Sequence, residues 1–240
     1  MSPTTIPIAP TEKRPYVQRL FTRIAPRYDW FNRLASFGLD QRWRRQVIRR
    51  AGIAPGDDVL DVCSGTGDLA ILAARTQQGR GRTIGLDMNH DMLVFAQSKQ
   101  RAQGLPIGWC RGDAERLPFP DQSFDCVTVG FSTRNLGDLT TGLRDMVRVL
   151  RPRGRLVIVE TGYPSSRILR WGYQAFLLTV ARTIGWLLTG SVWPFTYLAK
   201  SVQRFITPPE FIERLQSVQT QVEYIPLSLG LATLYVATKP

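Results

Sequence analysis

Three aspartates and a pair of glycines mark out the chemistry available to this chain. Asp61 interrupts the apolar run Val59, Leu60 and Val62 inside DDVLDVCSGTG, residues 57–67. Gly65 and Gly67 follow, where a backbone without Cβ atoms can turn sharply and approach a ligand. Leu69 to Arg75 then carries helix-forming residues, so the glycines lie between a strand and a helix N-terminus. That is the layout of a nucleotide-binding first βα turn. A glycine turn with a purely structural use is the alternative.

Two nucleotides compete for this turn. Gly65-Thr66-Gly67-Asp68-Leu69-Ala70 fits the dinucleotide pattern GxGxxG/A. Asp61 lies four residues before Gly65. A carboxylate there repels a pyrophosphate and can take the ammonium of a bound amino acid, such as the methionine half of S-adenosylmethionine. Asp68 at the helix start also favours a cationic ligand. Asp87, with Met88 beside it, lies 20 residues after Gly67, where a second strand presents an acid to ribose hydroxyls. Asp113, in Gly112-Asp113-Ala114, can accept from an adenine amino group. Each acid alone is an ordinary strand-end cap, but three in succession make an adenosine pocket.

The elements that must position these residues alternate. Strands are expected at 58–63, 82–87, 107–112, 124–129 and 155–160, with helices at 67–76, 90–103 and 140–150. A helix over 209–217 and two strands, 222–227 and 232–238, close the chain. The fold expected is α/β: a Rossmann-like doubly wound sheet with a C-terminal antiparallel hairpin, as in class I S-adenosylmethionine-dependent methyltransferases. Residues 1–15 read as a flexible tail and 16–240 as one domain. Within it, 16–50 forms a helical arm broken at Pro26 and Gly38, and 165–200 a helical lid. Tyr28, Asp29 and Asn32 are polar groups among aromatics in the arm, suited to closing the site or to plain surface and cap roles. The loop Gly130-Phe131-Ser132-Thr133-Arg134-Asn135 follows the fourth strand, which makes Arg134 a candidate to meet a substrate oxyanion.

Composition narrows the partners. The chain has 240 residues, 43% of them hydrophobic, enough for a real core. Its formal charge is +12, with 27 arginines and 4 lysines, which implies a polyanion, an anionic membrane surface, or only a solvated arginine-rich surface. His90 is the only histidine, and Cys63, Cys110 and Cys126 lack metal spacing. No metal site and no Ser-His-Asp triad is expected. The cysteines read as buried reduced thiols. The aromatic stretch 168–199 is broken by Gly185, Gly190 and Pro194 and carries Arg182, so it reads as a buried helix pair or an interfacial lid and not as a membrane span.

Further marks make the chain similar to a known family. They are Phe21 with Tyr28-Asp29 and Asn32, Ser36-Phe37-Gly38 before Trp43-Arg44, and Gly65-Thr66-Gly67-Asp68 after Asp61. Asp87 with Met92-Leu93, Asp113-Ala114-Glu115 and the Arg134-Asn135 pair follow. Arg148-Val149-Leu150-Arg151-Pro152 and Tyr197-Leu198-Ala199 with Ser201 complete the set. Together they resemble the UbiE/MenG family of quinone C-methyltransferases. The resemblance implies S-adenosylmethionine-dependent methylation of a ring carbon of a prenylated demethylquinol, with demethylmenaquinol first and a ubiquinone-pathway benzoquinol second. It implies cofactor contacts at Thr66, Asp87, Asp113 and Ala114, with Gly130 standing where the family has a small polar residue. Asp61, Gly65, Gly67 and Met88 complete the cofactor set. Arg134 and Tyr28 are the catalytic candidates, Arg134 pairing with a phenolate and Tyr28 relaying its proton. Asn32, Asn135 and Tyr197 are the substrate contacts. The base is left open, His90 being too near the ribose acid. A cytoplasmic enzyme is implied, touching the inner face of the membrane transiently, with a homodimer as one form and no nucleic-acid partner. An RNA methyltransferase, favoured by charge, and a non-catalytic cofactor-binding scaffold are the readings from other classes.

Overall fold

The computed structural model describes residues 10–240 except 163 and 165. The arm is built of α1 (Pro10–Ile24), a 3-10 turn (Ala25–Arg27), α2 (Tyr28–Ala35) and α3 (Leu39–Ala51). Pro26 occupies the turn, where its missing N–H breaks the helix. Gly38 enters α3 at φ +77°. The tail expected over 1–15 is a helix from residue 10 onward, and residues 1–9 lie outside the described residues. The reason is tertiary. Lys13 donates from Nζ to the carbonyls of Arg134 at 3.0 Å and Leu136 at 2.6 Å, and these long-range bonds hold the start of α1.

The sheet follows the expected alternation. β1 (Asp58–Val62), α4 (Asp68–Gln77), β2 (Arg82–Asp87), α5 (His90–Arg101), β3 (Ile107–Arg111), β4 (Phe124–Gly130), α6 (Leu139–Arg148) and β5 (Leu150–Thr161) run in order. Next come the lid helices α7 (Arg167–Phe176), α8 (Arg182–Thr189) and α9 (Trp193–Arg204), with a π-helical stretch, Leu177–Ala181, between the first two. Then α10 (Pro208–Gln216), β6 (Gln221–Leu227) and β7 (Ala232–Thr238) close the chain. The strand order is β3-β2-β1-β4-β5-β7-β6. The first five strands are parallel, and β7 is antiparallel to both neighbours. Order reverses between β1 and β4, which opens a crevice at the strands' carboxyl ends. β5 starts at Leu150, earlier than the 155 expected. Leu150 pairs with Phe124 and Arg155 with Cys126, so the extra residues, Pro152 among them, bulge out between.

Three apolar clusters hold these layers. One packs α6 and α10 on the sheet and a second packs α3 and α4 on the other face. A third joins the arm to the lid through Leu20, Ile24, Phe31, Phe195 and Tyr197. Phe31 stacks on Phe195 with ring centroids 4.4 Å apart. Gly185 permits this packing, because a Cβ there would lie 2.2 Å from the Phe195 ring. No helix among the described residues is long and apolar enough to cross a membrane.

Asp61 belongs to this scaffold. It was expected to meet the ammonium of a ligand, but the structure places it behind the glycine loop at 1% exposure. One carboxylate oxygen accepts from Thr128 Oγ1 at 2.8 Å and the other from the Ala70 amide at 3.1 Å, which ties β1 to β4 and to the start of α4. Burial pushes its pKa up to about 7, with the Thr128 bond and Arg44 holding it from rising further. The folded state therefore holds this proton more tightly than the unfolded chain. Its stabilisation is full below an unfolded pKa of about 4 and is lost as pH rises through about 7. Asp61→Asn cannot ionise. Between about pH 5.5 and about pH 8, wild-type protein should lose thermal stability relative to Asp61→Asn. Parallel melting curves across that range would remove the buried proton from this account.

Candidate functional site

A cavity of about 100 Å³ lies at the carboxyl ends of β1, β2 and β4, roofed by α1. Gly65 borders it at φ +55°, and a Cβ there would point into open space, so the loop leaves a cradle for a ligand. Asp87 lines it and clamps the loop, accepting from the Gly65 amide at 2.7 Å and from the Asn89 amide at 2.8 Å. Burial raises the Asp87 pKa above its ordinary value. Met88, Asp113 and Ala114 continue the wall, and Thr66 and Gly130 lie on it as well. These are the positions expected for an adenosine-containing cofactor.

Two expected cofactor contacts lie off this wall, and a third is already paired. Asp61 is absent from this wall for the reason already given. Gly67 is also off the wall. Its φ is +82°, and a Cβ would lie 2.5 Å from the Trp109 ring, so packing against β3 is what requires glycine here. Asp113 is on the wall, but its carboxylate is engaged. Arg14 pairs with it at 2.9 Å and the Glu115 amide donates to it at 2.9 Å. α1 therefore closes the adenosine end with a charge of its own.

A second cavity, of about 340 Å³, lies between the arm, the lid and the loop after β4. Phe31, Trp43, Phe131, Tyr173, Phe176 and Phe195 give it an aromatic wall. Tyr28 and Arg44 line both cavities. These two residues form a wall that the cavities share, so a group held in one lies beside the other there.

The catalytic and substrate candidates distribute unevenly around this junction. Tyr28 is at the junction, with Asn32 hydrogen-bonded to its side chain, and burial raises its pKa. It is thus a hydroxyl donor and not a phenolate base. Arg134 lines the aromatic chamber, but its charge is already matched. It pairs with Glu160, which is 1% exposed, donates from Nη1 to the Phe131 carbonyl at 2.6 Å and from Nε to Ser201 Oγ at 3.3 Å. The guanidinium expected to pair with a phenolate is thus held in place on the chamber wall by a buried carboxylate. Asn135 borders the cofactor cavity and not the chamber, accepting from Tyr197 Oη at 3.3 Å. Tyr197 touches neither main cavity. It packs against Tyr16 of α1, with ring centroids 5.3 Å apart, and so supports the site from outside. His90 is exposed at the start of α5.

Two charged residues of α3 were not singled out as site residues. Asp40 is buried on the chamber wall, accepting from Ser36 Oγ at 3.1 Å and Gln41 Nε2 at 3.0 Å. Arg44, one turn on, is 7% exposed. Its Nε has no hydrogen bond, lying 3.9 Å from Asp40 Oδ2 and 3.6 Å from Asp68 Oδ2. The signal was present in the spacing. Asp40, Trp43, Arg44, Val47 and Ala51 form the buried stripe of α3, and charges on an apolar stripe need a reason. The arginine-dense composition of 41–50 hid it. Among the described residues no cluster of histidine, cysteine and acidic side chains could hold a metal.

With this geometry described, the relatives can be set beside it. The family model for the ubiE/COQ5 methyltransferase family matches residues 9–239. The demethylmenaquinone methyltransferase of Deinococcus radiodurans is 40% identical over 229 residues, covering 95% of this chain and 94% of that one. That of Thermus thermophilus is 37% identical over 221 residues, covering 92% and 100%. The ubiquinone/menaquinone biosynthesis C-methyltransferase UbiE of Geobacter sulfurreducens is 38% identical over 234 residues, covering 95% and 90%. Among solved structures, the [4+2]-cyclase SpnF superposes with a TM-score of 0.71 at 17% identity, covering 99% of both chains. A SAM-dependent methyltransferase from Aquifex aeolicus gives 0.62 at 16%, covering 82% and 89%. Those two speak to the class I fold, and the sequence relatives to the family. From the glycine loop to the arm that roofs it, this chain belongs to the ubiE/COQ5 methyltransferase family.

Proposed function

We propose that the enzyme transfers a methyl group from S-adenosylmethionine to a ring carbon of a prenylated demethylquinol, demethylmenaquinol first. The observation that carries this reading is a glycine-loop cavity and an aromatic chamber that share a wall at Tyr28 and Arg44. Gly65, Thr66, Asp87, Met88, Ala114 and Gly130 hold the cofactor, with Asp113 and Asn135 completing the wall. When bound, S-adenosylmethionine supplies an electrophilic methyl group on sulfonium. The chamber's aromatic wall suits a flat quinol ring, and the apolar residues it adds between arm and lid, Leu169, Leu177 and Leu198 among them, suit an isoprenoid tail.

An aromatic carbon attacks well only when a neighbouring hydroxyl gives up its proton, and a phenol has a pKa of about 10. Asp40 is the carboxylate on the chamber wall and takes that proton. The Tyr28 hydroxyl, kept neutral by burial, donates to the oxygen left behind. Arg134, held by Glu160, fixes the loop from Phe131 to Asn135 and orients the ring. Arm and lid exclude water, which strengthens each of these charge interactions.

The substrate is a membrane lipid, and the enzyme collects it from the inner face of an anionic bilayer. Ile168 is 83% exposed, Phe37 79%, Trp171 73% and Leu187 70%, and Trp30 and Trp186 join them. These residues belong to α7, α8, α2 and the turn after α2. Phe37 and Phe176, whose rings lie 5.9 Å apart, also border the chamber, so this face adjoins its mouth. Between Glu160 and Glu210 the chain has no acidic residue, while Arg167, Arg170, Arg182, Lys200 and Arg204 are basic. Exposed tryptophans in a stretch with a surplus of basic residues suit a lipid headgroup region.

The direct test offers labelled S-adenosylmethionine with demethylmenaquinol, a demethyl-benzoquinol and total RNA. Label on the naphthoquinol is expected. Label on the benzoquinol alone moves the enzyme to the ubiquinone pathway, and label on RNA alone rejects the reading. Asp40→Asn should lower turnover by about 10²–10⁴-fold while the variant still binds S-adenosylhomocysteine. A variant with near-normal turnover would rule Asp40 out as the base. In co-sedimentation, anionic vesicles should retain the protein, and replacing Trp30 and Trp171 by serine should weaken binding on the order of tenfold. Equal binding by that double variant would place the membrane face elsewhere.

A further inference from the structure

We infer that Arg44 is the binding site for the amino-acid carboxylate of the cofactor. This rests on the cofactor assignment above and gives the cofactor's carboxylate a partner, which that assignment did not. The amino-acid half of S-adenosylmethionine carries a carboxylate, and a carboxylate taken out of water needs a cationic or hydrogen-bonding partner. Two cationic side chains line the cofactor cavity, Arg14 and Arg44. Arg14 is at the adenosine end and is committed to Asp113 at 2.9 Å and Glu115 at 2.5 Å. Arg44 is at the other end, beside Gly130 and under the glycine loop.

Arg44 has the features of a prepared anion seat. It is buried, and its Nε lacks a hydrogen bond. The approaches to Asp68 and Asp40, at 3.6 and 3.9 Å, hold its position without saturating its donors. The guanidinium lies 5.5 Å from the centre of the Phe131 ring, which fixes its plane. Gly130 leaves this guanidinium room. A Cβ at Gly130 would lie 3.3 Å from Arg44 Nη1 and 2.9 Å from Leu69 Cδ1. The glycine gives the guanidinium its space. A planar guanidinium can grip a carboxylate by two parallel bonds, which a lysine cannot. Arg44 also borders the aromatic chamber, so the seat fixes the amino-acid end of the cofactor at the wall both cavities share.

Calorimetric titration tests this without turnover. S-adenosylhomocysteine carries the carboxylate, and 5′-methylthioadenosine keeps the adenosine and the thioether without it. Arg44→Met should weaken S-adenosylhomocysteine by roughly 10–100-fold and leave 5′-methylthioadenosine within about twofold. Arg44→Lys should recover part of the loss. The wild-type enzyme supplies a measurement that needs no variant, because the methyl ester of S-adenosylhomocysteine should bind roughly 10–100-fold more weakly than the acid. Ester and acid binding equally, or both ligands weakening together in Arg44→Met, would overturn the assignment. Wild-type protein that binds no S-adenosylhomocysteine at all would instead overturn the cofactor reading on which it rests.

Discussion

A chain of charges runs from the arm to the glycine loop, and the site is assembled on it. Asp29 of α2 accepts from Thr66 Oγ1 at 2.5 Å and from Lys99 Nζ at 2.8 Å. Lys99 of α5 pairs in turn with Asp68 at the start of α4, which faces Arg44 of α3 and is bonded by Gln41. Four helices thus meet through alternating charges beside one loop. Burying such groups costs desolvation that their mutual attraction only partly offsets, so the network adds little net stability. Its effect is geometric. Removing one partner leaves the others unmatched in a partly buried place, and few other placements of the arm satisfy all of them. The cofactor wall and the chamber wall are therefore made partly of the same residues.

The lid depends on a different force. Its inner side shares an apolar cluster with the arm, through Phe195 against Phe31 and Tyr197 against Tyr16. Its outer side leaves tryptophans and leucines in solvent. A helical layer that is apolar on both sides is costly in water and sensible against a lipid surface. The buried pair of Arg134 and Glu160 lies where lid, sheet and loop converge, with Ser201 of α9 bonded to the same guanidinium. Closure of the chamber and placement of the loop after β4 are consequently one structural event. Arg134 is placed by topology, and its charge is matched by a neighbour distant in sequence.

Much of this protein can be read from local pattern. Strand–glycine–helix spacing gives the first βα turn, and acids at successive strand ends give Asp87 and Asp113 their places. Period-2 and period-3.6 apolar repeats mark the sheet and the helices to within a few residues. Even the buried stripe holding Asp40 and Arg44 is a local pattern, hidden by the arginines around it. These features depend on residues near one another in the chain, where backbone sterics and propensity act directly.

What only the tertiary structure decided is which side chains face the same space. Asp61 and Gly67 sit in the motif and yet point at α4 and at Trp109, because a strand turns alternate residues to opposite faces and a tight turn aims each residue separately. Asn135 and Tyr197, expected on the substrate, meet each other instead, since α9 returns to the loop after β4 from far along the chain. Residues 10–15 are tied down by partners far along the chain, with Lys13 bonded to the carbonyls of Arg134 and Leu136 and Arg14 paired with Asp113 and Glu115. The sequence alone therefore determined the fold, the family and the adenosine-facing acids, all set by local order. The junction of the two cavities at Tyr28 and Arg44 was decided by long-range packing and by the pairing of charges, which no local pattern contains.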